Sequence, residues 1–580
     1  MRERPVDTAL IDRLSSALKH RGPDGSGRYI SGTVGFAHTR LAIIDLQTGD
    51  QPFFEKQGAV LIANGEIYND PELRNELRDV PFATRSDCET PLHLYRRHGT
   101  NFVNFLRGMY AIAIHDPAAN RLVLSRDPFG IKPLYFVETP QCFAFASEPQ
   151  ALLAAGFGAR SVRRRALAEL LQLKFTTGAD TIFPGIYRLL PGETIVVANG
   201  RVTERHRRNA LIDGAPCTKD YDDALRRLDS VLADSVAHHL RSDVPYGLFL
   251  SGGIDSATLA GLTARLGGNP LVAFTAAFPG SAAADEGPYA EKIARSVGAE
   301  HHVIEMTAKD FWDDAPRVAA ALDDPTTDAA TLPTFALARA AKGHLKVVLT
   351  GEGGDEIFCG YSRYHRARRM WGMFARKARM RGEFDRLGPM NGVVEGWRDG
   401  LEAAERQQAH EGRSFIQILQ ANDCAEWLPN DLLIKVDRCL MAHGLEGRTP
   451  FLDPVVADFA FRLPDEMKAT PKISKRMLRD WCAINVPAAE PYARKTGFNP
   501  PVGGWIAENQ PMAENLVARQ PGIREIFTPD FVSRVFRDPG KNHQAAWSLL
   551  FYALWHSHHI LELPCDGSVK DVLAEAAATG

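Results

Sequence analysis

The sequence predicts an α+β unit followed by an α/β unit built on a doubly wound parallel sheet, with a helical C-terminal part. Three observations predict it. The chain has 580 residues, too long for one hydrophobic core, so it divides into domains. Residues 1–200 read as short strands broken by Gly and Pro, with few helices between them. From Tyr221 onward strands alternate with helices, the pattern of a parallel sheet covered on both faces.

In the first unit, helical patterns over 7–19 and 89–98 accompany strands at 34–37, 59–63, 110–115, 122–125 and 142–146. Polar residues 201–220 read as a linker, with Cys217 unpartnered in it. The second unit spans 221–565. It opens on Leu225, Leu228, Leu232, Val236 and Leu240, which recur at helical spacing. Strands follow at 246–250, 271–278, 302–306 and 346–350, and mostly helix beyond Gly360. The basic run from Arg363 to Arg381, with Trp371 and Phe374, reads as a solvated amphipathic helix or a nucleic-acid patch. Residues 566–580 read as a flexible tail.

Composition narrows the class. Hydrophobic residues make 45% and charged residues 24%, as in ordinary globular chains. A net charge of −3 gives no global field for nucleic acid or a membrane, and no apolar run is long enough to span a bilayer. Met1-Arg-Glu-Arg-Pro has no apolar signal core behind it. The eight cysteines are scattered and form no CxxC pair, which argues against zinc and for free thiols in a reducing cytoplasm.

The chemistry starts at Leu250-Ser251-Gly252-Gly253-Ile254-Asp255-Ser256, which follows a strand and opens a helix. Glycines let the backbone approach a phosphate, and free N–H groups at the helix start point at the anion. Ser251 and Ser256 add hydroxyl donors, and Asp255 beside a phosphate calls for a divalent cation. The loop lacks the Gly-Lys-Ser/Thr ending of a Walker A motif. A second acidic glycine loop, Gly351-Glu352-Gly353-Gly354-Asp355-Glu356, follows the strand that ends at Thr350. The two loops would meet at one edge of the sheet, with Asp255 and Asp355 sharing a Mg²⁺. Further on, Lys435, Asp437 and Arg438 form a structural ion-pair network or belong to a site. Lys475 reads as a lone cation in a helical context. A transferring adenylyl group needs such a lysine.

With SGGIDS, GEGGDE, LLIKVDR, LEGRTPFLD and SKRMLR in this order, the chain resembles the glutamine-dependent asparagine synthetases over nearly its full length. The first 200 residues add HRGPD, RLAIID, NGEIYN, SDCE and RDPFG, and resemble a class II glutamine amidotransferase domain. The resemblance implies an Ntn-type β-sandwich flanked by helices, joined to a PP-loop ATP-pyrophosphatase domain. It implies ATP and Mg²⁺ as cofactors, aspartate and glutamine or ammonia as substrates, and a homodimer. Asp255 and Asp355 would hold the metal. Leu250, Ala276, Thr350 and Gly351 would line the nucleotide site. Many members carry a bulkier branched residue where Ala276 stands, which is harmless if the contact is through backbone. Glu352 and Lys475 would serve a β-aspartyl-AMP intermediate, and substituting either is expected to leave stability within about 1 kcal/mol. Arg40, Leu41, Ala42, Ile43, Ile44, Glu66 and Asp87 would form the glutamine pocket, with Asn64 and the Gly65 amide as oxyanion hole.

The family's nucleophile is a cysteine directly after the initiator methionine, whereas this chain begins Met1-Arg2 and has no cysteine before Cys88. Cys88 lies inside the pocket motif and has no free amine, so it is no substitute. Two readings stay open: Met1 is internal to a longer protein, or the enzyme takes free ammonia. Either way, a chain starting at Met1 is expected not to hydrolyse glutamine, and a sheet edge is expected to stand unpaired. The acceptor is also open, since related enzymes close β-lactam rings or amidate sugar acids and peptides. An inactive nucleotide-binding regulatory protein is the rival of another class. The intact Asp255, Asp355, Glu352 and Lys475 speak against it.

Overall fold

The computed structural model describes residues 5–56, 58–268, 270–280, 286–364, 381–385, 387, 396–493 and 500–579. Its first half is layered. Six antiparallel strands lie in the order Arg201–Arg207, Glu193–Ala198, Arg121–Arg126, Gly108–Asp116, Val60–Ile67, Phe53–Phe54. Side chains alternate between the two faces of a strand. Leu61, Ala63, Ile112 and Ile114 therefore pack with Leu92 and Tyr95 of the helix Thr90–His98. Their neighbours Val60, Ile62, Ala111 and Ala113 pack with Phe36 and Phe136 of a facing layer. That layer consists of the hairpin Gly25–Ser31/Val34–Arg40 and of three strands, Phe143–Ala146, Tyr135–Glu138 and Tyr187–Arg188. Helices Thr8–Ala17 and Pro149–Ala154 pack together on its outer side. The result is the expected sandwich between helices.

Every strand of the facing layer except Tyr135–Glu138 pairs with one strand only among the described residues, and two of these edges share a feature. Val34–Arg40 bonds to Gly25–Ser31, and Phe143–Ala146 bonds to Tyr135–Glu138. Both line one cavity of about 270 Å³.

The second half holds five parallel strands in the order Glu300–Glu305, Val272–Ala277, Tyr246–Phe249, Val347–Leu349, Glu446–Arg448. The chain builds outward in one direction from Tyr246–Phe249, then returns to its other side with Val347–Leu349. Ligands of doubly wound sheets bind beyond the carboxyl ends of strands at such a reversal. Both glycine-rich acidic loops leave from there.

The structure corrects the sequence reading in three places. Residues 201–220 do not begin as a linker: Arg201–Arg207 is an edge strand paired with Glu193–Ala198. Its charged, exposed side chains suit a sheet edge and hid its pairing. The part beyond Gly360, read as mostly helix, also contributes a strand to the sheet, Glu446–Arg448, which pairs with Val347–Leu349. Three residues, two of them charged, carry no period that marks a strand. Finally, 566–580 is not a loose tail. Val569–Thr579 is a helix that packs against the helices His543–His559 and Ala308–Ala321. It buries Val569, Val572, Leu573 and Ala576, a helical stripe diluted by small residues.

Of the basic run, residues 365–380 lie outside the described residues. Arg363 pairs with Asp423 at 2.5 Å and stacks 4.3 Å from the rings of Tyr361 and Trp427, so it is not a free surface charge. Among the described residues, no helix is long and apolar enough to cross a membrane.

Candidate active site

The loop after Tyr246–Phe249 is held open by its own serines. The Ser256 hydroxyl donates to the carbonyls of Ser251 and Gly253, at 3.0 and 3.1 Å, and accepts from the Ser251 N–H at 3.1 Å. Gly253 caps the helix Ile254–Leu266, which places Asp255 in its first turn. At the strand end, Leu250 N–H donates to the Phe274 carbonyl at 2.9 Å, and the Thr275 hydroxyl donates to the Leu250 carbonyl at 2.6 Å. Ala276 is buried one residue further along that strand. Thr350 N–H donates to the Arg448 carbonyl at 2.9 Å, while its buried hydroxyl has no protein partner.

Lys475 is no lone cation. Its ammonium contacts the Asp255 carboxylate and lies 2.6 Å from Asp355, so one charge joins the two loops. The side chain is buried. Burial pushes its pKa down, but Asp255 and Asp355 outweigh that and hold it above the usual lysine value. Lys475 precedes the helix Arg476–Asn485 with φ 49°, a left-handed conformation that costs a β-carbon residue energy. Glycines make room for this meeting. A Cβ on Gly354 would stand 2.6 Å from Asp255 Oδ1, and one on Gly360 would stand 1.6 Å from Asp355 Oδ1.

These residues fit a divalent cation. Asp255 Oδ1 is buried and accepts no hydrogen bond, and Asp255 and Asp355 converge on one positive charge. Among the described residues, no three His, Cys, Asp or Glu side chains cluster as a closed metal cage. Magnesium at phosphates needs only one or two carboxylates, because the phosphates supply the remaining oxygens.

Glu352 lies on the same loop and faces another lysine. Lys435 Nζ is 3.5 Å from Glu352 Oε1 and 3.3 Å from Asp328 Oδ2. The structure thereby divides the Lys435–Asp437–Arg438 group. Asp437 and Arg438 are scaffold: Asp437 pairs with Arg21 at 2.7 Å, and Arg438 pairs with Asp323 at 2.7 Å. Arg21 also holds Glu148 at 2.7 Å, so this buried network joins the first half of the chain to the second.

The cavity already described gathers most of the residues expected to bind glutamine. Arg40, Leu41, Ile43, Ile44, Asn64, Gly65, Glu66 and Asp87 all line it. Ala42 does not, and its N–H donates to Asp24 at 2.8 Å. Arg40 is braced by Asp50 at 2.8 Å and by the Asp45 carbonyl at 2.5 Å. Asn64 Nδ2 and Glu66 Oε1 are buried and without a protein partner. Gly65 must be glycine, since a Cβ would fall 2.1 Å from the Met109 carbonyl. Burial raises the Asp87 carboxyl to about 6, against a hydrogen bond from Ile67 N–H that lowers it. Burial and then Asp87 push Glu66 well up, and Arg448 opposes them. Cys88 is buried, and its thiol is also pushed well up, first by burial and then by Asp87 and Glu66.

Sequence reasoning missed one residue of this region. Arg448, fully buried, pairs with Glu66 at 3.0 Å and with Glu446 at 2.8 Å. An arginine at the end of a strand too short to recognise gave no hint of its burial.

A β-sandwich layered between helices, joined to a doubly wound sheet with two acidic glycine loops at its reversal, defines an amidotransferase-linked carbon–nitrogen ligase. Residues 227–557 match the family model of asparagine synthase, and residues 1–208 match that of the glutamine amidotransferase domain. The chain is 30% identical to the glutamine-hydrolyzing asparagine synthetase 1 of Bacillus subtilis, covering 95% of this chain and 94% of that protein. It is 33% identical to a putative glutamine-hydrolyzing asparagine synthetase of Mycobacterium tuberculosis, over 95% and 93%. With asparagine synthetase B of Escherichia coli the identity is 30%, over 87% and 82%. The chain belongs to the asparagine synthase family.

Proposed function

We propose that the protein amidates aspartate to asparagine, converting ATP to AMP and pyrophosphate through a β-aspartyl-AMP intermediate. The observation that carries the reading is the Lys475 ammonium in contact with both Asp255 and Asp355. A carboxylate is a poor acyl donor because its leaving group would be oxide. In the first step an aspartate β-carboxylate oxygen bonds to the α-phosphorus, the bond from that phosphorus to the bridging oxygen breaks, and pyrophosphate leaves. In the second, ammonia bonds to the acyl carbon, AMP leaves with the bonding pair, and one proton is lost.

Ser251, Gly252, Gly253 and Ser256 would cradle the pyrophosphate with N–H and hydroxyl groups. Lys475 would neutralise charge as it departs. Leu250, Ala276, Thr350 and Gly351 would line the nucleotide. Asp255 and Asp355 would hold magnesium, which supplies positive charge for the phosphates. Glu352 would act beside the acceptor carboxylate. Arg40, Glu66 and Asp87 would take glutamine, with Asn64 and Gly65 stabilising the oxyanion. The unpartnered Asn64 Nδ2 and Glu66 Oε1 support that reading.

The test is isotope exchange between ATP and pyrophosphate with aspartate, glutamate, a sugar acid, a β-amino acid or no acceptor. Exchange that requires aspartate, together with asparagine and AMP in equal amounts, is the expected result. Exchange driven by another acceptor would replace aspartate in the reading, and no exchange with any of them would reject it.

A further inference from the structure

In the reading proposed above, Glu352 stands beside anions: a triphosphate and the carboxylate to be activated. A carboxylate so placed is driven aside by like charge unless a neighbouring cation holds it. Among the described residues, Lys435 is the one charged partner Glu352 has, at 3.5 Å. Lys435 is itself fixed. It rises from the helix Leu433–Met441, is buried, and donates to Asp328 Oδ2 at 3.3 Å. Asp328 is anchored in turn, because its Oδ1 accepts from Ala330 N–H at 3.1 Å. The preceding residues are locked: the Thr326 hydroxyl bonds to Asp431, and Thr327 N–H donates to the Lys174 carbonyl at 2.8 Å. The ammonium thus stands on a rigid base. Glu352 lies on a loop whose side chain remains partly open to solvent, at 25% exposure, against 8% for Lys435.

We propose that Lys435 is a positioning residue for the amide-forming reaction: it neutralises Glu352 and fixes its carboxylate where the acceptor is activated. The proposal rests on the reading of Glu352 given above. Such a residue acts on the chemistry only through Glu352, and that is what distinguishes it from a structural lysine.

The experiment is a double-mutant cycle on Lys435→Met and Glu352→Gln, read by aspartate-dependent ATP–pyrophosphate exchange with the full chain. Lys435→Met is expected to lower kcat about 10- to 100-fold, the range for misplaced reacting groups. KM for ATP should hold within about twofold, because the nucleotide loops keep Lys475. Lys435→Arg, which retains the charge, should recover most of the loss. In the Glu352→Gln background, Lys435→Met should cost almost nothing further. Effects that multiply across the cycle, or full kcat in Lys435→Met, would overturn the proposal and leave the role of Glu352 standing. Full activity in Glu352→Gln would overturn both. Should Lys435→Met not fold, Lys435→Gln, which can still donate to Asp328, carries the same comparison.

Discussion

The Glu66 carboxylate and the Arg448 guanidinium form a 3.0 Å ion pair between the cavity of the first half and the parallel sheet. Arg448 also offers its carbonyl to Thr350 N–H at 2.9 Å, directly before the loop that carries Glu352 and Asp355. One buried residue therefore touches one candidate site with its side chain and the other with its backbone.

Removing that cation should be costly. Arg448→Met leaves Glu66 and Glu446 buried without their shared partner, and breaking a buried pair costs about 3–5 kcal/mol. Urea denaturation of the variant measures it. A loss under about 1 kcal/mol would mean that the pair does not hold this junction together.

Asp255→Ala and Asp355→Ala should each abolish magnesium-dependent pyrophosphate release. Lys475→Ala should abolish it as well, but not with the small stability change expected from the sequence. Its ammonium is buried between two carboxylates that would then face each other unneutralised, so a loss of about 3 kcal/mol is expected. Added magnesium should raise the melting temperature of this variant by taking up the same charge pair. A variant as stable as the parent, or indifferent to magnesium, would contradict the arrangement. Glu352→Gln, partly exposed, should stay within about 1 kcal/mol of the parent.

Asp87 gives stability a pH dependence. Its carboxyl titrates at about 6 in the folded chain, against 3.8 ordinarily. Between those values the folded state keeps a proton that the unfolded state has released, so stability falls as pH rises from about 4 to about 6. Raised Glu66 pulls in the same direction, so the readout is a difference. The fall should be shallower in Asp87→Asn than in the parent when unfolding free energies are compared at several pH values. Parallel curves would show that Asp87 does not carry it.

Cys88 should take no part in catalysis as a nucleophile. Cys88 lines the pocket, but its thiol donates to the Gly65 carbonyl at 3.4 Å and is held protonated. A protonated, buried thiol is a weak nucleophile. Cys88→Ser should keep ammonium-dependent synthesis within about twofold, and iodoacetamide should label Cys88 in the native chain slowly. Fast labelling of Cys88, or loss of activity in Cys88→Ser, would refute this.

Much was legible because it is local. The Ser251–Ser256 and Gly351–Glu356 loops were placed after strands because apolar runs, glycines and acids lie within a few residues of one another. The short strands read at 59–63 and 110–115 overlap Val60–Ile67 and Gly108–Asp116, while the faces of their side chains came from the structure. By contrast, the edge strand Arg201–Arg207 is polar except for Val202, and its hydrogen bonds to Glu193–Ala198 make it a strand.

By itself, then, the sequence determined the two-part architecture, the order of the motifs and the residue types available for chemistry. Each of these depends on neighbours along the chain. Only the tertiary structure decided which charges meet. Lys475 reaches Asp255 from 220 residues away, Lys435 finds Glu352 rather than the Asp437–Arg438 network, and Glu446–Arg448 becomes a strand by joining Val347–Leu349. Burial makes such meetings obligatory, because a charge removed from water must find an opposite charge or a hydrogen-bond partner. Which partner it finds is set by packing between distant segments.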